Sequence, residues 1–166
     1  MTERVVCPAD TRTEMTWIVM PNHLNALGTV FGGQVMSWID VCAAVSAQRF
    51  TRTTVVTASM DSLNFRGPIR KGDVAVLQAQ VNWAGRTSME VGVRVEREDR
   101  ATGHRTHTAT AYLTFVSVDD DFKPTSVPKL RAQTDEEGRR MEDAILRRAD
   151  RLAVRERDRL RREARS

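Results

Sequence analysis

The segment from Gly33 to about Phe50 limits the fold more than any other part of the chain. Val35, Met36, Ile39, Cys42, Ala43, Ser46 and Phe50 recur at helical spacing, while Trp38, Val41, Ala44 and Val45 fill much of the remaining circumference. A helix that is apolar nearly all round must be buried on most sides. The chain has 166 residues, enough for one domain with a substantial core. At that size, burying such a helix requires a single sheet curled around it, helped by loops or a second subunit.

The rest of the body supplies such a sheet. From Ser88 to Glu96, Met89, Val91, Val93 and Val95 face one way, and Glu90, Gly92, Arg94 and Glu96 the other. Before it, Ala75, Leu77, Ala79, Val81 and Trp83 alternate with Val74, Val76, Gln78, Gln80 and Asn82, and Ala84-Gly85-Arg86-Thr87 is a hairpin turn between the two runs. A third run, about His104 to Val118, follows a second turn and completes an antiparallel meander. Thr53 to Phe65, rich in β-branched residues and closed by Arg66-Gly67-Pro68, reads as a fourth strand, and Thr13 to Met20 as a fifth. The expected fold is therefore α+β: an antiparallel sheet of about five strands wrapped around one central helix. Residues 1–12 form an extension, 13–120 the domain, 121–130 a linker and 131–166 an arginine-rich helical tail. In that tail Met141, Ile145, Ala149 and Leu152 form a thin apolar stripe, with Leu146, Ala153 and Leu160 beside it.

The net charge of +4 belongs mostly to the tail, where twelve arginines accompany nine acids from Arg131 onward. Because the two signs are interleaved, a solvated helical face is favoured over nucleic-acid binding. The N-terminal MTERVVCPADTRTEM lacks the pattern of a secretory signal, and no apolar run is long enough to span a membrane. With two cysteines, Cys7 and Cys42, and no disulfide framework, a cytoplasmic setting is expected.

Asp40 stands out as an acid inside the apolar helix. The nearest basic residue along the segment is Arg49, more than two turns away. Two readings of Asp40 stay open: a general base or nucleophile on a cleft wall, or an edge-of-helix acid that reaches solvent. Gly28, Gly32 and Gly33 precede the helix, whose first amides have no intrahelical acceptor and could cradle a carbonyl oxygen that turns negative during acyl transfer. The alternative is a tight turn that needs glycine. An oxyanion site and an acid on one helix would make a hydrolytic pair. Asn25 could position a water or simply form a turn. The three histidines make no metal-ligand pattern, so no metal site is expected, and neither a nucleophile elbow nor a P-loop is present.

Together, Asn25-x-x-Gly28-x-x-Phe31-Gly32-Gly33, Asp40, Asn64-Phe65-x-x-Pro68, Gly72-Asp73 and Gly85-Arg86-Thr87-Ser88-Met89 resemble the hotdog-fold acyl-coenzyme A thioesterases, in family order from roughly Met15 to Val118. The resemblance implies a hotdog fold. It implies that Asp40 is general base or nucleophile on the thioester, assisted by Asn25 of a neighbouring subunit, with the Gly32 and Gly33 amides polarising the carbonyl. It implies acyl-coenzyme A as substrate and no separate cofactor, coenzyme A being part of substrate and product. Arg86, Thr87 and Ser88, with Arg66, Arg70 and Lys71, are the candidates for its phosphates. It also implies a homo-oligomer, at least a dimer and commonly a trimer of dimers. A reading from another class is a non-catalytic acyl-coenzyme A sensor whose basic tail contacts a partner or nucleic acid. A hydratase is less favoured, because no histidine and acid pair stands at the motif positions.

Overall fold

The computed structural model describes residues 4–164. In chain order it contains β1 (Val5–Val6), β2 (Thr13–Ile18), α1 (Gly32–Thr51), β3 (Thr54–Phe65), β4 (Val74–Ala84), β5 (Ser88–Glu98), β6 (Arg105–Val118), β7 (Lys129–Leu130) and α2 (Asp135–Glu163), with single 3-10 turns at Pro8–Thr11 and Pro21–His23. Five strands form one antiparallel sheet in the order β2-β4-β5-β6-β3. The meander β4-β5-β6 is its centre. β2 and β3, which flank α1 in sequence, take the two edges, so the helix is drawn across one face of the sheet. Near the chain ends, β1 pairs in parallel with β7.

The core lies between α1 and that face. Phe50, Ile39, Leu77, Met89, Leu113 and Phe115 are buried, each worth roughly 1.5–3 kcal/mol of apolar transfer. Trp38 anchors the first half of the helix, stacked on Trp17 of β2 at 5.5 Å between centroids with the edge of His23 against it at 5.1 Å. The helix ends where Arg52 turns left-handed at φ 61° and donates its N–H to the Gln48 carbonyl. One flank of α1 stays open: Met36 and Val41 are exposed, as is Phe31 just before the helix.

β3 is less regular than its composition suggests. Its register with β6 slips between Thr57 and Ser59 and again between Met60 and Ser62. Each bulge inserts one residue, Ala58 and then Asp61, and so reverses which face the following residues address. Thr57 meets α1, Met60 and Leu63 pack on the core, and Asp61 turns to the opposite face.

That opposite face is covered by α2, which lies beside β4 rather than standing as a solvated tail. Glu137 and Ala144 are buried, whereas Ile145, Leu146, Leu152 and Leu160 are exposed. Three arginines also reach side chains of the sheet. Arg147 grips Glu90 of β5 with two hydrogen bonds, of 2.7 and 3.1 Å, and lies 3.7 Å over the Tyr112 ring of β6. Arg148 lies over Trp83 of β4, and Arg151 pairs with Asp61 of β3, which also accepts from Thr114 and Ser59. Glu90, which the alternation assigns to the solvent side, is therefore buried under the helix. Burial disfavours the charge on Arg147, but its hydrogen bonds and attraction to Glu90, with Tyr112 and Asp143, hold its pKa above the ordinary value. Thr134 caps α2 by accepting from the Glu137 amide, while the Glu137 carboxylate accepts from Gln133. Among the described residues, no helix is long and apolar enough to cross a membrane.

Candidate active site

The loop before α1 is held by backbone pairing at both ends. Leu24 bridges Val30, Val30 donates to the Ile69 carbonyl, and Thr29 bridges Arg70. Gly28, at φ +75°, makes the reversal that only glycine adopts without strain. Asn25 organises this turn: its Oδ1 accepts from the amides of Leu27 and Thr29, and its Nδ2 donates to the Thr29 hydroxyl at 3.1 Å. Within the protomer Asn25 makes no bond to Asp40.

At the helix start Phe31 supplies no side-chain cap. The amides of Gln34 and Val35 reach the Phe31 carbonyl, but those of Gly32 and Gly33 have no acceptor among the described residues. Two bare N–H groups thus stand at the positive end of a 20-residue helix. Beside them is a largely apolar cavity of about 320 Å³, lined by Val30, Gly32, Val35, Phe65, Pro68 and Ile69 among others.

Further along α1, Asp40 is half-buried beside Thr57 of β3, whose hydroxyl donates to Asp40 Oδ1 at 2.7 Å. Oδ1 is thereby fixed and Oδ2 left free. Arg49 does not pair with this acid; it reaches the carbonyl of Arg12 instead. Sequence reasoning missed Thr57, because its direction depends on strand phase and the bulge at Ala58 conceals that phase.

Asp40 is seven residues beyond Gly33, about 10 Å at 1.5 Å per residue. A hydrogen-bond donor and an attacking oxygen must both lie about 3 Å from the reacting group. On one copy of α1 the two groups are separated by more than that reach. The phosphate-binding candidates are divided in the same way. Arg66, Arg70 and Lys71 flank the loop at the Gly32 end, and Arg86, Thr87 and Ser88 form the hairpin turn at the far end of β4, an 11-residue strand about 35 Å long.

The family model for the thioesterase superfamily matches residues 27–104. A Bacillus subtilis protein named as an uncharacterised acyl-CoA thioester hydrolase is 46% identical over 119 residues, which cover 72% of this chain and 69% of that protein. The chain belongs to the thioesterase superfamily. Two solved thioesterase structures extend the likeness to nearly the whole chain. An apo-hexameric acyl-CoA thioesterase, 42% identical, superposes with a TM-score of 0.88 over 91% of this chain and 97% of that one. A Staphylococcus aureus acyl-CoA hydrolase solved with butyryl-CoA, CoA and CoA disulfide, 34% identical, superposes with a TM-score of 0.89 over 96% of this chain and 98% of that one. The same hydrolase has been solved as variants with an asparagine, an aspartate or a threonine replaced by alanine. The fold expected from the sequence, a sheet wrapped on one helix in the manner of this superfamily, is the fold found, with the two arginine-held acids under α2 as its main unforeseen feature.

Proposed function

We propose that the protein hydrolyses acyl-CoA thioesters at a site built from two copies of the chain. The observation that carries this reading is the Asp40–Thr57 pair, a carboxylate held by one oxygen and free at the other. Asp40 Oδ2 either takes a proton from an attacking water or attacks the carbonyl carbon itself, forming a mixed anhydride that water then opens. In both routes the C–S bond breaks, the thiolate of CoA leaves and takes up a proton, and the carboxylic acid is released. The reaction as written needs no cofactor, since the coenzyme is part of the substrate.

Three features support a site shared between subunits. β3 is a 12-residue edge strand with a free side, and the adjoining flank of α1 is apolar and exposed at Met36, Val41 and Phe31. A second copy laid antiparallel along β3 would bring its Gly32 end, with the bare amides and Asn25, to the Asp40–Thr57 end of the first. The same operation would bring the Arg86–Ser88 turn of one subunit toward Arg66, Arg70 and Lys71 of the other, closing the gap between the two sets of phosphate candidates. Hexameric relatives accord with a homo-oligomer.

The alanine variants of the S. aureus hydrolase add support for the residue roles. Their asparagine, aspartate and threonine are fifteen and then seventeen positions apart, the spacing of Asn25, Asp40 and Thr57 in this chain. In this reading Asp40 drives the attack, Thr57 orients it, Asn25 positions the water or carbonyl, and the Gly32 and Gly33 amides bind the oxyanion. A cytoplasmic setting fits the two unbridged cysteines.

The test is release of free CoA thiol from short-, medium- and long-chain acyl-CoA esters by the purified protein. Turnover well above the uncatalysed rate on at least one ester is expected. Binding of acyl-CoA without turnover of any ester would overturn the hydrolase reading and favour an acyl-CoA sensor.

A further inference from the structure

Asp61 draws donors from three elements to one point of β3. Its Oδ1 accepts from the Ser59 hydroxyl at 2.6 Å, and its Oδ2 accepts from the Thr114 hydroxyl of β6 at 3.1 Å and pairs with Arg151 of α2. The side chains of Asp61 and Arg151 are only 11% and 14% exposed. A carboxylate held so far from water needs such partners. Asp61 is also the extra residue of the second bulge in β3, and Ser59 is the first paired residue after the first bulge. The Ser59–Asp61 bond therefore spans the whole segment between the two irregularities.

We propose that Asp61, clamped by Arg151, is a positioning residue for Asp40: it fixes where the first bulge falls and so turns Thr57 toward α1. The inference rests on the reading of Asp40 and Thr57 as the attacking pair. Thr57 lies opposite Phe115 and Ser59 opposite Thr114, so the strand changes phase at Ala58. Phe115 packs in the core on the α1 face, whereas Thr114 addresses the face under α2. Moving the bulge two positions toward the start of β3 would set Thr57 opposite Val116, with its hydroxyl pointing away from Asp40. Backbone pairing resumes on either side of a bulge, so it does not by itself select the residue that is inserted. Side chains make the choice: Met60 on the core face, and Ser59, Thr114 and Arg151 converging on Asp61 on the other.

The path from helix to site is short. Arg151 holds Asp61, Asp61 holds Ser59, and only the inserted Ala58 separates Ser59 from Thr57. α2 thus acts on Asp40 through the sheet, from the opposite face, although no residue of α2 lines the cavity at Gly32. Arg148, three residues before Arg151, ties the same helix to Trp83 of β4 and has no such path. The two arginines therefore differ in consequence: Arg151 governs Thr57, and Arg148 does not.

Two readouts on the full-length chain test the proposal. The first is a crystal structure of Arg151→Met, in which the Thr57 hydroxyl should have left hydrogen-bonding distance of Asp40. The second is kinetics on the best ester, where Arg151→Met should lower kcat roughly 10-fold, with CoA affinity within a factor of about three. In a Thr57→Val background the same substitution should cost less than about threefold more, because both changes act on one bond. Arg148→Met should keep kcat within about threefold of the wild type, and so should Arg151→Lys, which retains the cation. Asp61→Ala strands no buried acid and should give the same displacement and loss as Arg151→Met. If the wild type hydrolyses no ester, the hydrolase reading fails and the crystal structure alone decides this proposal. Thr57 still bonded to Asp40 in both Arg151→Met and Asp61→Ala, a loss that multiplies in full with that of Thr57→Val, or an equal loss in Arg148→Met or Arg151→Lys would each overturn it.

Discussion

Removing Arg147 from beneath α2 should cost far more than removing an ordinary surface arginine. Its partner Glu90 is 1% exposed, and besides the two bonds from Arg147 it receives only the Asn82 amide at 3.4 Å. Arg147→Ala leaves that carboxylate buried with one long hydrogen bond and also strips the cation from the face of Tyr112. Deleting one member of a buried ion pair costs about 3–5 kcal/mol. Arg147, Arg148 and Arg151 tie α2 to sheet side chains, so the loss should fall first on the helix. Amide hydrogen exchange read by mass spectrometry is the assay. Protection across Asp135–Glu163 should fall by roughly 100-fold or more, while β5 and β6 stay protected, since each 1.4 kcal/mol is a tenfold change. A companion variant, Glu90→Gln/Arg147→Met, removes both charges and keeps much of the volume, so it should restore more than half of the lost protection. Loss of less than tenfold in Arg147→Ala would refute the account of how α2 is held, and so would a double variant as exposed as the single one.

Further outcomes follow from the same geometry. Thr57→Val keeps the shape of the side chain but deletes the 2.7 Å bond to Asp40; at about 1.5–3 kcal/mol for a bond to a charged group, kcat/KM on the best ester should fall roughly 10–100-fold with CoA affinity unchanged. In Gly33→Ala, the added methyl would sit 2.4 Å from the Phe31 ring, so the ring must swing away from the helix start, and kcat should drop while the circular dichroism spectrum is retained. Burial pushes the Cys42 thiol up from 9.0 to about 11. The folded protein then keeps a proton that the unfolded chain loses, so stability falls as pH rises from 9 to 11, by about 2–3 kcal/mol. Urea midpoints at pH 8 and pH 11 should show this decline in the wild type and a smaller one in Cys42→Ala.

Much of this structure could be read in the sequence, because its largest elements follow their own periods. β4, β5 and β6 alternate with period two and are joined by short turns, and α1 is too apolar to sit anywhere but under a sheet. The glycines and Asp40 mark the candidate site for a related reason: a bare helix start and a lone acid in an apolar helix both need explaining. What stayed hidden depends on contacts distant in sequence. The bulges at Ala58 and Asp61 reverse the facing of β3, so neither Thr57 beside Asp40 nor Asp61 under α2 can be found by counting alternate residues. Glu90 looks like a solvated strand residue until Arg147, 57 positions away, covers it. α2 reads in sequence as a solvated charged face, because nothing along the chain shows that Arg147 and Arg151 pair with Glu90 and Asp61 of the sheet. The proposal of a site shared by two subunits also rests on distance: the spacing of Gly33 and Asp40 is plain in the sequence, and α1 carries both.

The central claim is that Asp40 drives thioester cleavage from a site completed by a second subunit. The most direct measurement is kcat/KM for the best acyl-CoA ester in the wild type and in Asp40→Asn, with CoA affinity measured by calorimetry on both. The substitution keeps the size of the side chain and can still accept from Thr57, but it removes the carboxylate. The account predicts a loss of at least about 1000-fold in kcat/KM, on the scale of removing a general base or nucleophile, with CoA affinity within a factor of about three. Asp40→Asn retaining more than a tenth of wild-type activity would contradict it.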